Sequence, residues 1–186
     1  LVRAIAKILD ADSENIYDLA GKSRNTIASD IEDLLIAKPE IVSLLRSANF
    51  FNLSKQQILE IKETMTSLNT SVIIIAAGLG SRLKKYTDNL PKCMLDFAGK
   101  TLLQRQIEVF KINGLNKISV IRGFKKEKIN YPDLTYFENT EYKNNNILNS
   151  LMYAEEVLNG HVIVSYSDIL FEKEVVKRLM ESEHDI

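Results

Sequence analysis

An α/β fold with a mostly parallel sheet, preceded by a small all-helical segment, is what the sequence predicts. Three observations carry that prediction. Residues 1–70 repeat apolar positions with a helical period, and from Ser71 onward strand and helix signals alternate. The first strand signal, Val72-Ile73-Ile74-Ile75, is a β-branched run with no polar break, as expected of a parallel strand buried on both faces. Strands alternating with helices imply a sheet whose ligands lie outside the carboxyl ends of its strands.

The helical segment reads as four short helices. Residues 1–10 are apolar at 1, 2, 5, 8 and 9, and Ile27, Ile31, Leu34 and Leu35 repeat that stripe after Asn25 and Thr26, either of which can cap. Lys38-Pro39 ends the second helix, and Pro39 suits the first turn of the third, with Ile41, Leu44 and Leu45 on its face. Ser54 with Gln57 forms a capping box, and Leu53 with Ile58 a hydrophobic staple, before Ile58, Ile61, Met65 and Leu68. Leu19-Ala20 followed by Ser23–Ile27 has a faint likeness to a helix-turn-helix. Its turn is too short, however, and residues 1–70 carry 8 basic against 10 acidic side chains, the wrong sign for a phosphate-facing surface. A helical linker, cap or interaction module is the expectation.

Composition narrows the class further. The chain has 186 residues, 45% apolar and 26% charged, with a formal net charge of −1, enough apolar content for a packed core and no bulk bias toward nucleic acid. Its single cysteine, Cys93, excludes an internal disulfide framework and a Cys-rich zinc site. No apolar run approaches the ~20 residues of a membrane span, and no charged-then-apolar leader opens the chain. A cytoplasmic protein without membrane insertion is expected. The start at Leu1 and a strand expected to begin at Asp185-Ile186 suggest a fragment.

Beyond β-rich Val72–Ile75, the elements follow in order. Met94–Phe97 is a short strand ending at the turn Ala98-Gly99-Lys100. Thr101 with Gln104 forms a second capping box for a helix carrying Leu103, Ile107 and Phe110 and closed by Gly114. Lys117–Ile121 is a strand, Gly123–Ile129 a short helix and Thr135–Phe137 a strand. Asn146–Leu158 reads as a helix, His161–Tyr166 as a strand and Val175–Glu181 as a helix.

The first strand runs into Ala76-Ala77-Gly78-Leu79-Gly80-Ser81-Arg82-Leu83. A P-loop counted from Gly78 needs glycine at position 83, and so does a dinucleotide fingerprint; Leu83 fails both. Small residues at 76–80 let backbone N–H groups approach a triphosphate and a base edge without Cβ obstruction. Arg82 offers a planar fork for phosphate oxygens, and Lys92, after Pro91, a mobile point charge. The alternative is a plain strand-to-helix turn. Charge is segregated independently of this motif: residues 82–128 hold 12 basic and 4 acidic side chains, residues 129–186 hold 4 basic and 11 acidic. A net +8 segment suits a polyanion, and a net −7 segment suits a metal or a cationic acceptor. Tyr136, Tyr142, Tyr153 or Tyr166 could wall such a cation.

The string A-A-G-L-G-S-R-L, then P-K-C-M-L, then G-K-T-L-L-Q-R-Q resembles the nucleotidyltransferases that couple an NTP to a phosphorylated small molecule. The resemblance covers residues 72–186 and implies a Rossmann-like three-layer core over 71–186, C-terminally incomplete, with 1–70 as a separate segment. Val164–Asp168 resembles the family's second landmark, a strand ending in a metal-binding Asp. Asn139, Tyr142, Asn146-Ile147 and Ser150-Leu151, with Y-S-D-I, are most similar to choline-phosphate and 2-aminoethylphosphonate cytidylyltransferases. The resemblance implies that Ala76, Ala77, Gly78, Leu79, Gly80, Ser81, Arg82 and Lys92 bind the nucleotide, CTP by the most similar group, with Arg82 and Lys92 catalytic. Asp168 would hold Mg²⁺, and Asn146 and Ser150 would lie near a phosphorylated or phosphonate acceptor. It leaves open a sugar 1-phosphate acceptor with another NTP, an inactive nucleotide-binding fragment, a homodimer, or fusion to an upstream enzyme module.

Overall fold

The computed structural model describes residues 29–144 and 146–182. The predicted helix over 1–10, the stretch at 19–27 and the strand start at 185–186 lie outside them. Two compact units divide between Leu59 and Glu60. In the first, α1 is Ser29–Ala37, α2 is Pro39–Phe50, and α3, Lys55–Asn69, begins. Pro39 opens α2 as expected, because its missing N–H is one that a helix start leaves unpaired anyway. The Ser54–Gln57 capping box forms in both directions: Ser54 N–H donates to Gln57 Oε1 at 2.9 Å, and Gln57 N–H donates to Ser54 Oγ at 3.3 Å.

The second unit is the α/β core. α3 runs directly into β1 (Thr70–Ala76), followed by the two-residue strands β2 (Asp96–Phe97) and β3 (Lys100–Thr101), α4 (Leu102–Ile112), β4 (Lys117–Arg122) and β5 (Thr135–Glu138). α5 (Ile147–Met152), β6 (His161–Tyr166) and α6 (Lys173–Glu181) complete it. The main sheet has the order β5-β4-β1-β6, and every neighbouring pair is parallel. Val72, Ile74 and Ala76 face one core with Leu103, Ile107 and Phe110 of α4 and Val176 of α6. Ile73, Ile75 and Ala77 face the other, with Ala154 and Leu151 beside them. Alternate residues of one unbroken apolar strand thus serve two cores, which gives three layers. Full burial of each of Val72, Ile73 and Ile74 stabilises by about 1.5–3 kcal/mol.

Three predicted elements differ in detail. Lys92–Met94 forms a 3-10 turn, so only Asp96–Phe97 of the expected strand is extended. It pairs with Lys100–Thr101 across Ala98 (φ 52°) and Gly99 (φ 81°). The expected helix over 123–129 shrinks to a 3-10 turn at Lys126–Lys128, after Lys125 adopts a left-handed conformation. The expected helix over 146–158 breaks after Met152. Tyr153 and Ala154 N–H bond back three residues, to Ser150 and Leu151, which tightens the chain and buries Ala154 completely against the sheet. Thr101 caps α4 through Gln104 N–H at 3.0 Å, but the Gln104 side chain donates to Glu108 instead of returning to Thr101, so only half of that box exists. Among the described residues no helix is long and apolar enough to cross a membrane.

Candidate active site

β1 is central, and the chain leaves it first toward β4 and β5 and later returns on its other side as β6. The strand order therefore reverses between β1 and β6, where an open α/β sheet has its crevice at the carboxyl ends. Two predicted segments emerge there: Ala77–Gly80 after β1 and Ser167-Asp168 after β6. Ser167 N–H donates to the Ile75 carbonyl at 3.2 Å, binding the two strand ends together.

Ala76 and Ala77 are buried, and Gly78 and Leu79 are exposed, so the accessible part of the loop begins at Gly78. Gly80 has φ +62°, and a Cβ there would lie 3.2 Å from Thr87 Cγ2 and 3.4 Å from Lys92 Cβ. The loop thus packs on the lysine that the sequence singled out. Thr87 Oγ1 donates to the Gly80 carbonyl at 2.9 Å and fixes the loop from behind. Ser81 and Arg82 begin the 3-10 turn Ser81–Tyr86; their expected contacts fall on side chains outside those described.

Lys92 Nζ is hydrogen-bonded to Asp168 Oδ2, with both side chains 36% exposed. The structure therefore brings together a cation from the Pro-Lys motif and a carboxylate from the strand landmark, 76 residues apart. Cys93, next to Lys92, is buried and hydrogen-bonded to Ser167; burial, aided by the nearby Asp168 charge, pushes its thiol up to about 12. It is a packed residue, not a nucleophile.

Asp168 presents a hard carboxylate oxygen at the sheet edge. Among the described residues no group of three or more His, Cys, Asp or Glu side chains gathers around it or elsewhere. A single carboxylate of this kind fits a hard divalent ion whose shell is completed by phosphate oxygens and water, the mode usual for Mg²⁺.

The acceptor-side residues separate. Asn146 is exposed and caps α5, its Oδ1 accepting Asn149 N–H at 2.9 Å. Ser150 is buried; its Oγ accepts from Asn139 Nδ2 at 2.8 Å and donates to the Asn146 carbonyl at 3.1 Å. Of the four tyrosines, Tyr136 already lies under the Arg122 guanidinium, 4.0 Å from its ring centroid. Tyr142 packs near Gly123 and Phe124. Tyr153 and Tyr166 keep exposed faces.

Two residues that the sequence reading passed over hold this site. A Cβ on Gly123 would lie 2.6 Å from the Ala77 carbonyl and 2.8 Å from Tyr142 Cβ. Glycine there lets β4 approach the loop closely, and the next residue, Phe124, donates its N–H to that same carbonyl at 3.1 Å. Gln106 of α4, 1% exposed, donates to the carbonyls of Tyr166 (2.8 Å) and Ile169 (2.6 Å), on either side of Asp168. Gln106 closes the string G-K-T-L-L-Q-R-Q as a polar residue between apolar helix positions, and that was its signal in the sequence.

Comparison with known proteins shows the family. The MobA-like NTP transferase domain matches residues 72–185, more than half of the chain. The chain belongs to that family. A CTP:phosphoglutamine cytidylyltransferase of Campylobacter jejuni is 30% identical over 127 residues, covering 62% of this chain and 50% of the relative. A 2-aminoethylphosphonate cytidylyltransferase of Lancefieldella rimae is 32% identical over 111 residues, covering 56% and 45%. The solved CTP:phosphocholine cytidylyltransferase of Streptococcus pneumoniae superposes with a TM-score of 0.52 at 32% identity, over 57% of this chain and 50% of that one. This chain spans about half the length of these MobA-like relatives.

Proposed function

We propose that the chain transfers a nucleotidyl group from CTP to an oxygen of a small phosphorylated or phosphonate acceptor, with Mg²⁺, releasing pyrophosphate. The observation that carries the reading is the meeting of Lys92, Asp168 and the exposed glycine loop at the crevice between β1 and β6. The three relatives described above are each named as cytidylyltransferases, which supports CTP as the nucleotide.

In this reaction an acceptor oxygen attacks the α-phosphorus, a new P–O bond forms, and the bond to the bridging oxygen breaks. Pyrophosphate leaves in line with that electron pair. No covalent enzyme intermediate is needed, so the protein's part is positioning and charge stabilisation. Backbone N–H groups of Gly78–Gly80 are assigned to nucleotide oxygens or a base edge, since no side chain intervenes at the glycines. Lys92, released from Asp168, reduces repulsion between the α-phosphate and the acceptor anion. Arg82, one turn beyond the loop, is assigned to the β- and γ-phosphate oxygens. Asp168 is the ligand for Mg²⁺, which when bound neutralises phosphate charge as a Lewis acid. On the acceptor side we retain the exposed Asn146 amide, with the buried Ser150 supporting it through the Asn146 carbonyl.

The test is incubation of the chain and Mg²⁺ with each NTP and with phosphocholine, 2-aminoethylphosphonate, phosphoglutamine or a sugar 1-phosphate, following pyrophosphate. Turnover is expected with CTP and a phosphate or phosphonate of the first three kinds. Turnover only with another NTP and a sugar 1-phosphate would move the protein to that class, and none with any pair would overturn the reading.

A further inference from the structure

Resting on the reading of Asp168 as the metal-side carboxylate, we infer that Gln106 is a positioning residue for Asp168. The turn carrying Asp168 has no regular partner beyond β6, yet it is held from three sides. β1 takes the Ser167 N–H through the Ile75 carbonyl, and Cys93 is hydrogen-bonded to Ser167. The third hold is Gln106, which reaches from α4 across 60 and 63 residues of sequence to the Tyr166 and Ile169 carbonyls. One carboxamide nitrogen has two N–H groups, and here each serves one end of the turn, so Gln106 fixes its span. Its oxygen accepts from Ser165 Oγ at 3.4 Å, which orients the amide with the nitrogen toward the carbonyls.

The arrangement is stiff because it is buried. Gln106 is 1% exposed and Ser167 9%, whereas the Asp168 side chain between the anchored carbonyls is 36% exposed. The carboxylate projects from this anchored turn toward Lys92. A shorter or donor-free side chain at 106 leaves the Tyr166 and Ile169 carbonyls without that partner, and the turn carrying Asp168 relaxes. Placement to within about half an ångström is what a catalytic ligand requires.

The test compares Gln106→Met, which keeps length and removes both donors, with Gln106→Asn and Asp168→Asn in the full chain. Mn²⁺ binding in the presence of CTP is followed by EPR, CTP binding in EDTA by calorimetry, and Cys93 alkylation by mass spectrometry. Gln106→Met is expected to raise the Mn²⁺ midpoint at least tenfold and speed Cys93 alkylation at least tenfold, with metal-free CTP affinity changed less than twofold. Gln106→Asn, which retains the donors on a shorter stem, carries the same measurements if Gln106→Met does not fold. An Mn²⁺ midpoint within twofold of wild type, while Asp168→Asn shifts it, overturns the inference and leaves the proposed function standing. If Asp168→Asn itself leaves the midpoint unchanged, the metal assignment fails. Alkylation alone then decides whether Gln106 holds the turn: tenfold faster supports it, and within twofold overturns it.

Discussion

Lys92 Nζ hydrogen-bonds the Asp168 carboxylate, and this pair joins the net +8 segment 82–128 to the net −7 segment 129–186. The near-neutral total charge conceals that segregation. Both side chains are about a third exposed, so the pair contributes only about 0–1 kcal/mol to stability. An ion pair worth so little to folding, at the crevice where the strand order reverses, is easily exchanged for phosphate and metal ion.

Lys92→Met and Asp168→Asn therefore leave stability within about 1 kcal/mol of wild type while lowering kcat/KM by about 10²–10³-fold. Urea unfolding and steady-state pyrophosphate release measure the two quantities. Lys92→Arg restores little, because a planar fork does not replace the compact point charge that here meets Asp168.

The two glycines flanking the loop separate folding from binding. Gly123→Ala drives a Cβ against the Ala77 carbonyl and destabilises by about 1–3 kcal/mol, read by urea unfolding. Gly78→Ala meets nothing within 4 Å, so stability stays within about 1 kcal/mol. Its added methyl instead weakens CTP binding, measured by calorimetry.

Cys93 gives a pH dependence whose sign is fixed by burial. In the folded chain the thiol is pushed up to about 12, while unfolded it ionises near its ordinary value of about 8.5. Between those values the unfolded state has lost the proton that the folded state keeps, so stability falls as pH rises. The slope approaches about 1.4 kcal/mol per pH unit. Wild-type protein should lose stability between pH 9 and 10.5 more steeply than Cys93→Ala, with both followed by urea unfolding.

Asn146 can be divided into cap and amide. Asn146→Ala removes the acceptor for Asn149 N–H and costs about 0.5–2 kcal/mol. Asn146→Ser keeps a capping oxygen and restores stability. Acceptor KM stays raised in both variants if the amide contacts the acceptor, as proposed, and returns to wild type with Ser if capping is its whole role.

What the sequence made legible was local. The β-branched run at 72–75 fixed a doubly buried strand because no polar residue interrupts it, and the Ser54–Gln57 box marked a helix start because both partners lie within one turn. Asp168 was reached through the resemblance of Val164–Asp168 to a family landmark, a strand ending in an Asp. Gln106 was not legible, because its burial depends on carbonyls 60 and 63 residues away. Gly123 was hidden for a related reason: a glycine after a strand signals a turn, whereas its role is close approach to Ala77 of a neighbouring strand end. The break in the helix after Met152 followed from packing of Ala154 on the sheet, which periodicity along one segment does not encode.

The most direct measurement is ³¹P NMR of the chain with CTP, Mg²⁺ and 2-aminoethylphosphonate or phosphocholine. The account predicts loss of the CTP triphosphate signals, growth of pyrophosphate, and a new diphosphate or phosphonate–phosphate anhydride resonance, all abolished in Lys92→Met. Unchanged CTP with both of these acceptors and with phosphoglutamine, or the same product at the same rate from Lys92→Met, would contradict it.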